Sequence, residues 1–410
     1  MRNKISALII DNNASEHNYN DIVFDNLPEW FEKEFDINVI SDRDNIISSL
    51  NKYKGFDVLI SIGNVNVEIL NDFSFEIRKK WIHIDSFDKN EITNIIVDVF
   101  LNNINRDRGD EKLFSIFTSM YNTTPKQIKR LYQSLLNQTY HNWNWWIIDD
   151  SNNYNTSDVV EKLHDPRIHV FKNVTNHGNI GFNKHMIAMM CDGDYLVEVD
   201  HDDELVDVCL EKLYEAFQKS DADFVYSDAL EIIDNMPIYY DEYFSYGQGY
   251  YRDEEINGEY VKNIAITCRN INVKSVRGIH ALPNHVRCWK KTFYHKIGGH
   301  NMELSVLDDM DLLIRTFLQG KMAKVDKVLY IQHQGVSREN GRGNTATGAR
   351  VKEIQRLNSM LKWKYEQAIH DRILELGFND PIWDDKLNES NLEINLSDEQ
   401  LVPMDVLIIK

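Results

Sequence analysis

Four groups of carboxylates stand where the sequence turns from apolar to polar. They are Asp149 and Asp150 closing "NWWIIDD", Asp200, Asp202 and Asp203 after "YLVEV", Asp228 closing "ADFVYSD", and Asp308, Asp309 and Asp311 in "LDDMDLLIRTFLQG". Like charges crowded this way repel unless one is protonated or a cation is shared between them. Hard oxygen donors suit Mg2+ or Mn2+, ions that keep waters and also take substrate phosphates. The spacing of a calcium-binding EF-hand loop is absent. A plainer reading competes at each group. An acidic strand end is an ordinary turn-former, which suffices for Asp228, and acids in a first helical turn suit the helix dipole, which suffices for Asp311. Two carboxylate pairs on one rim, Asp149/Asp150 and Asp200/Asp202, are harder to dismiss.

The elements that must position these groups alternate. Residues 1 to about 105 read as strands "ISALIID" (5–11), "INVIS" (37–41), "DVLISIG" (57–63) and "KWIHID" (80–85), with helices at 22–35, 43–53 and from Asp88 onward. Strands alternating with helices imply parallel βαβ units, here a small open sheet of the Rossmann-like or flavodoxin-like kind. The loop "IGNVN" has one glycine and no GxGxxG, which argues against a dinucleotide site. "NRDRGDEK" (105–112) is a charged break and the candidate linker. A second α/β series opens with "LFSIFTSMYN" (113–122). "TTPKQ" then starts a helix, with Thr124 as N-cap, Pro125 at the first position and Gln127 completing a capping box. Strands at 144–149, 167–173, 195–199 and 222–228, helices at 182–190 and 309–320, a long Tyr-rich loop (239–260) and a long amphipathic helix (350–376) follow. The expected domains are 1–107, 108–345 and a C-terminal helix with tail at 346–410, the apolar tail reading as a docking strand. In open α/β sheets ligands sit beyond the carboxyl ends of the strands, which puts the acidic endings on one functional rim.

Composition narrows the classes. A chain of 410 residues suggests more than one domain, and a net charge of −20 argues against broad binding to nucleic acid or anionic membrane. No stretch has the length of a membrane helix. The four cysteines, Cys191, Cys209, Cys268 and Cys288, form no CxxC pair, so zinc is not expected and a reducing cytoplasm is the simpler location.

In this order and spacing, "SIFTSMYN", "NWNWWIIDDSNN", "NHGNIGFNKHMIAMMCDGDYLVEVDHDDEL" and "IGGH" followed by "LDDMDLLIRT" resemble a family 2 glycosyltransferase, the inverting group with the GT-A fold, over roughly residues 113 to 340. The resemblance implies a Mn2+- or Mg2+-dependent transfer of a sugar from a nucleoside-diphosphate sugar, UDP-linked by preference, to a hydroxyl acceptor in glycan or surface polysaccharide synthesis. Ser119, Tyr121 and Asn122 would line the nucleotide pocket, Asp150 with Asp149 would meet the base, and Asp200 would face the ribose. Asp202 would hold the metal, with His333 as a second candidate ligand against the ordinary structural role of a lone histidine. Asp309 matches the catalytic base. Asn183, Asp203, Asp308 and Gly299 are candidate donor or acceptor contacts. The sequence departs from the family pattern at Met120 in "TSMYN", at the Asp-Asp in place of Glu-Asp, and at His201.

The chemistry stands without the name. Displacing a nucleoside diphosphate from an anomeric carbon needs charge stabilisation on the leaving group and a separate base for the acceptor hydroxyl. Two rivals remain. A nucleotidyltransferase shares a similar sheet, but "TSMYNTTPKQ" lacks the Gly-rich basic loop that would hold a triphosphate. A non-catalytic carbohydrate-binding or scaffold protein would need none of Asp150, Asp202 and Asp309. The aromatics of "YYDEYFSYGQGYY" suit either an acceptor surface or a loop packed on the N-terminal domain. The N-terminal domain itself could dock a partner, mediate self-association or bind a second nucleotide.

Overall fold

A computed structural model describes residues 5–13, 15–17, 19, 35–40, 58–63, 80–93, 95–96, 112–152, 155–161, 163, 165, 167–173, 176–334, 351–384, 395–404 and 407–409. The chain divides into two units, Met1–Glu111 with His164–Pro166, and Lys112–Leu163 with Arg167–Lys410.

In the first unit, β1 (Ile5–Asp11), β2 (Phe35–Ile40), β3 (Val58–Ile62) and β4 (Trp81–Ile84) form a parallel sheet in the order β2-β1-β3-β4. Ala7, Ile9, Val58 and Ile60 pack there with Ile92 and Ile96, which lie in the helical stretch that begins at residue 89. At the carboxyl end of β1, buried Asp11 accepts from the Asn13 N–H (2.8 Å) and from Tyr19 Oη, and pairs with His17 Nδ1 at 2.5 Å. The helix expected at 22–35, apart from Phe35, which opens β2, the helix expected at 43–53, and the 105–112 linker apart from Lys112 lie outside the described residues.

The second unit is built on one mixed sheet. Its strands are β5 (Phe114–Met120), β6 (Trp143–Asp149), β7 (Ile168–Lys172), β8 (Tyr195–Glu198), β9 (Glu204–Leu205), β10 (Phe224–Ile233) and β11 (Met236–Pro237). A hairpin of β12 (Tyr250–Ile256) and β13 (Glu259–Ile266) stands apart from it. The sheet is completed by β14 (Arg287–Lys290), β15 (Met322–His333) and β16 (Leu407–Ile409). The order across it is β16-β15-β10-β14-β8-β5-β6-β7. β14 runs antiparallel to both neighbours, whereas β5, β6, β7 and β8 are mutually parallel. Such parallel strands are covered on both faces, and "FSIFTSM" is buried at every residue but Ser119.

Helices α1 (Pro125–Leu136), α2 (Asn155–Glu161), α3 (Ile180–Met190), α4 (Cys209–Lys219), α5 (Lys291–Lys296), α6 (Asp308–Gln319), α7 (Val351–Glu375) and α8 (Pro381–Asp384) connect and cover the strands. α1 starts as the sequence predicts: Thr124 Oγ1 accepts from the Gln127 N–H, and the Thr124 N–H donates to the Gln127 side chain at 2.8 Å. α7 is not a separate body. Leu357, Leu361, Tyr365, Ile369 and Ile373 join the same core as Phe224, Trp289 and Leu312. The tail expected to dock as a strand does so, as β16 parallel to β15.

The stretch 239–260 is not a continuous loop: its second half is β12, turned into β13 by Asn257 (φ 50°) and Gly258 (φ 81°). Asn-Gly with both residues left-handed is the strongest short hairpin signal, and the surrounding tyrosines masked it. Within this segment Tyr240 stacks on Phe244 and Tyr251 on Tyr239, while Tyr239 and Tyr243 stay exposed. No helix among the described residues is long and apolar enough to cross a membrane.

Candidate active site

β5 and β6 end side by side, with Met120 paired to Asp149. Beyond them Ser119, Tyr121 and Asn122 are half-buried on the rim. Asn122 takes a left-handed φ of 49° and donates its N–H to Ser151 Oγ at 2.7 Å. The two expected base-contact residues differ sharply. Asp150 is buried and fully engaged, accepting from Asn173 Nδ2 (2.7 Å), the His177 N–H (2.9 Å) and the Gly178 N–H (3.0 Å). Its carboxylate is the clamp of the "NHG" loop. Asp149 accepts the Ser151 N–H through Oδ1 (3.0 Å), and its buried Oδ2 has no hydrogen-bond partner. An orphaned buried acceptor is uncommon and marks a place for an incoming donor.

Asn183 on α3 is buried and accepts from Asn173 Nδ2 at 2.9 Å, so it belongs to the Asp150 clamp. Gly181 explains how α3 lies so close to the segment before α6. A Cβ there would fall 2.3 Å from the Asn301 carbonyl and 2.6 Å from that of Leu304. Gly299, with φ +59°, passes under the Tyr294 ring, where a Cβ would sit 2.7 Å away, and its carbonyl accepts from Arg315 Nη2 at 2.7 Å. Its place is that of a turn residue.

The three aspartates after β8 divide in the same way. Asp203 is buried and accepts from Tyr330 Oη and the His333 N–H, each at 2.8 Å. Burial, with Asp202 and Asp200 adding to it, pushes its carboxyl well above the ordinary range despite those two donors. Asp203 thus ties the acidic turn to β15. His333 turns Nε2 to Glu204 Oε1 at 2.5 Å, so the structure engages this imidazole with Glu204. Asp202 is half-buried, and Arg130 holds its backbone carbonyl. Asp200 remains one-third exposed at its side chain, with Lys184 Nζ 3.3 Å from Oδ1 and His285 Nε2 3.7 Å from Oδ2. Burial would raise its carboxyl, but Lys184 and His285 outweigh it and draw it down to about 2.

Beneath Asp200 lies a group of residues that the sequence reading did not single out. Glu198, buried in β8, is met by Lys184 Nζ at 2.5 Å and Arg287 Nη1 at 3.5 Å. His285 Nε2 and His300 Nε2 approach it at 3.9 and 3.8 Å. Burial would favour neutral Glu198; Lys184 and Arg287 overcome that and hold it well below the carboxylate range, and Lys184 is held well above the usual lysine range. The signal was present in the sequence: Glu198 interrupts "YLVEV" and Arg287 interrupts "HVRCW", single charges inside apolar strands. A charge in such a place needs a partner.

Arg287 reaches onward. Its Nε donates to the carbonyls of Pro283 (3.0 Å) and Asn284 (2.9 Å), and Nη2 meets Asp309 Oδ2 at 3.2 Å. Asp309 is the second residue of α6, whose sharp entry is set by Leu307 with a φ of 58°. Its side chain is 28% exposed, unlike its neighbours. Asp308 is buried 3.7 Å from His300 Nε2, and burial raises its carboxyl. Asp311 is buried against Arg315 (2.6 Å) and Tyr365 Oη (2.7 Å), and so fastens α7 onto α6. Asp228 pairs with Lys324 (2.8 Å) and Arg252 (2.9 Å) inside the unit. Of the expected residues, Asp200 and Asp309 therefore both contact the buried cluster around Glu198, whereas Asp203, Asp228 and Asp311 are engaged within the fold.

Among the described residues, Glu198, Asp200 and His285 bring donor atoms within 4.8 Å of one another. Glu198 is already compensated by Lys184 and Arg287. Both ring nitrogens of His285 are buried with no hydrogen-bond partner, and the half-buried Asp202 lies two residues past Asp200. An oxygen-rich set with one imidazole suits Mn2+ or Mg2+, so these residues fit such an ion.

The strand order defines an α/β domain, a fold in which ligands sit beyond the carboxyl ends of the strands, here the acid-rich rim. Residues 115–275 match the family model described as Glycosyl transferase family 2. Over these residues the chain is similar to the family 2 glycosyltransferases. It is 30% identical over 116 residues to glycosyltransferase GlyG of Streptococcus pneumoniae, covering 28% of this chain and 38% of that protein. It is 28% identical over 122 residues to the uncharacterized glycosyltransferase MJ1057 of Methanocaldococcus jannaschii, covering 29% of this chain and 42% of that one. The chain thus spans less than half the length of these curated relatives. A solved structure of S. aureus TarS 1–349 in complex with UDP-GlcNAc aligns over 70% of this chain and 77% of that one, with 14% identity and a TM-score of 0.47.

Proposed function

We propose that the protein is a metal-dependent, inverting glycosyltransferase that moves a sugar from a nucleoside-diphosphate sugar, UDP-linked by preference, to a hydroxyl acceptor in glycan or surface polysaccharide synthesis. The observation that carries this is the junction of Asp200 and Asp309, distant in sequence, through Lys184, Glu198 and Arg287. The donor's base would stack near Tyr121, and its imide N–H would donate to Asp149 Oδ2, which lacks a partner. Asp200 would accept from the ribose. Asp200, Asp202 and His285 would hold a divalent ion, which when bound supplies charge neutralisation to the leaving diphosphate.

Asp309, the one partly exposed carboxylate of its motif, would accept the proton of the acceptor hydroxyl as that oxygen bonds to the anomeric carbon. The bond from that carbon to the diphosphate oxygen breaks on the opposite face, which inverts the centre. The four cysteines are buried free thiols, in keeping with a reducing cytoplasm. The test is release of nucleoside diphosphate from a panel of nucleotide sugars, with Mn2+, with Mg2+ and with chelator. Release from none of them would remove the proposal.

A further inference from the structure

We propose that Glu198 is a positioning residue that sets the relation between the donor-side carboxylate Asp200 and the base Asp309; this rests on the function just proposed. Glu198 and Arg287 are direct cross-strand partners in the β8–β14 ladder, so their side chains leave the same face of the sheet. Asp200, two residues beyond Glu198, follows on that face by the period of an extended chain. Glu198 Oε1 takes the Lys184 ammonium at 2.5 Å, and the same ammonium reaches Asp200 Oδ1 at 3.3 Å. Glu198 Oε2 faces Arg287 Nη1 at 3.5 Å, and the other arm of that guanidinium reaches Asp309 Oδ2 at 3.2 Å. One carboxylate therefore anchors two cations, each of which holds one working carboxylate. Arg287 Nε donates to the Pro283 and Asn284 carbonyls, so the guanidinium is held at one end there and at its two outer arms by Glu198 and Asp309.

A buried carboxylate with these neighbours is a poor device for stability alone, because desolvation of each charge offsets much of the Coulomb gain. Its geometry is the more specific asset. Placement of a base and a leaving group within a fraction of an ångström governs rate more than binding. Glu198 touches neither reacting group in this arrangement; it acts through Lys184 and Arg287.

The test uses Glu198→Gln, which keeps length and removes charge, and Glu198→Gln with Lys184→Met, which removes the charge pair and guards against a folding failure. Crystal structures of both and of the natural chain give the Arg287–Asp309 separation, and transfer kinetics give kcat and donor KM. The expectation is that Arg287 leaves Asp309 beyond about 4 Å, with kcat down by at least about tenfold and donor KM within about threefold. Glu198→Asp should recover part of kcat. A retained Arg287–Asp309 contact, or a lowered melting temperature with kcat unchanged, would overturn the inference. If the natural chain releases no nucleoside diphosphate, the proposed function fails by itself, and the crystallographic separation still decides the role of Glu198.

Discussion

Arg287 and Asp309 are joined at 3.2 Å although one belongs to an interior antiparallel strand and the other to the first turn of a helix. The contact holds the one partly exposed carboxylate of "LDDMD", and through Arg287 and Glu198 links it to the Lys184 that meets Asp200. Arg287→Lys keeps the charge and loses the fork. It should lower kcat by roughly ten- to a hundredfold with a smaller change in donor KM, because orientation and not charge is removed. Steady-state kinetics on the folded variant measure it, and an unchanged kcat would show that the contact does not serve the reaction.

Asp149 and Asp150 should separate by function. Asp149→Asn replaces the unpartnered Oδ2 side with an amide and should weaken UDP binding by roughly tenfold, about the value of one hydrogen bond to a charged group. Asp150→Asn removes the acceptor charge from the His177 and Gly178 N–H groups and should instead cost about 1–3 kcal/mol of stability. Calorimetric titration with UDP and thermal melts read the two effects. A reversed pattern would return the base contact to Asp150.

The low carboxyl of Asp200 fixes the sign of an acid effect. Its folded value of about 2 lies below the unfolded value near 3.9, so the stabilisation is complete above the unfolded value and disappears as pH falls through about 2. One-third of the side chain faces water, so the contribution is on the order of 1 kcal/mol. Denaturant melts between pH 5 and pH 2 should therefore lose stability more steeply for the natural chain than for Asp200→Asn. Parallel curves would contradict the Lys184–Asp200 pairing.

Gly181→Ala tests the seat of α3. With a Cβ 2.3 Å from the Asn301 carbonyl, α3 or the turn before α6 must move, at roughly 1–3 kcal/mol. Because Lys184 sits on α3 and Asp309 follows that turn in the first turn of α6, transfer should fall along with stability. Full activity in a stable variant would mean that the two elements shift without disturbing the site.

Much of this architecture was legible in the sequence. The apolar runs ending in Asp11, Asp149 and Asp200 gave the parallel strands, and Thr124–Pro125–Gln127 gave the start of α1. What escaped was of two kinds. Tyrosines hide the Asn257–Gly258 turn, so the sequence predicts loop across β12 and the start of β13. Acidic residues were also read by position in a motif, which cannot separate Asp149, with a free oxygen, from Asp150, committed to the "NHG" loop. Lys184, Glu198, His285 and Arg287 come from different elements and meet only when β8 lies between β5 and β14. No local spacing encodes that meeting, although a lone charge in each of two apolar strands hinted at it.

The most direct measurement is sugar transfer by the natural chain and by Asp309→Asn with the same UDP-sugar, acceptor and Mn2+. The account predicts metal-dependent release of UDP by the natural chain, and a loss of about 10²- to 10⁴-fold in kcat for the variant with UDP affinity retained. Equal transfer by the two proteins would contradict it.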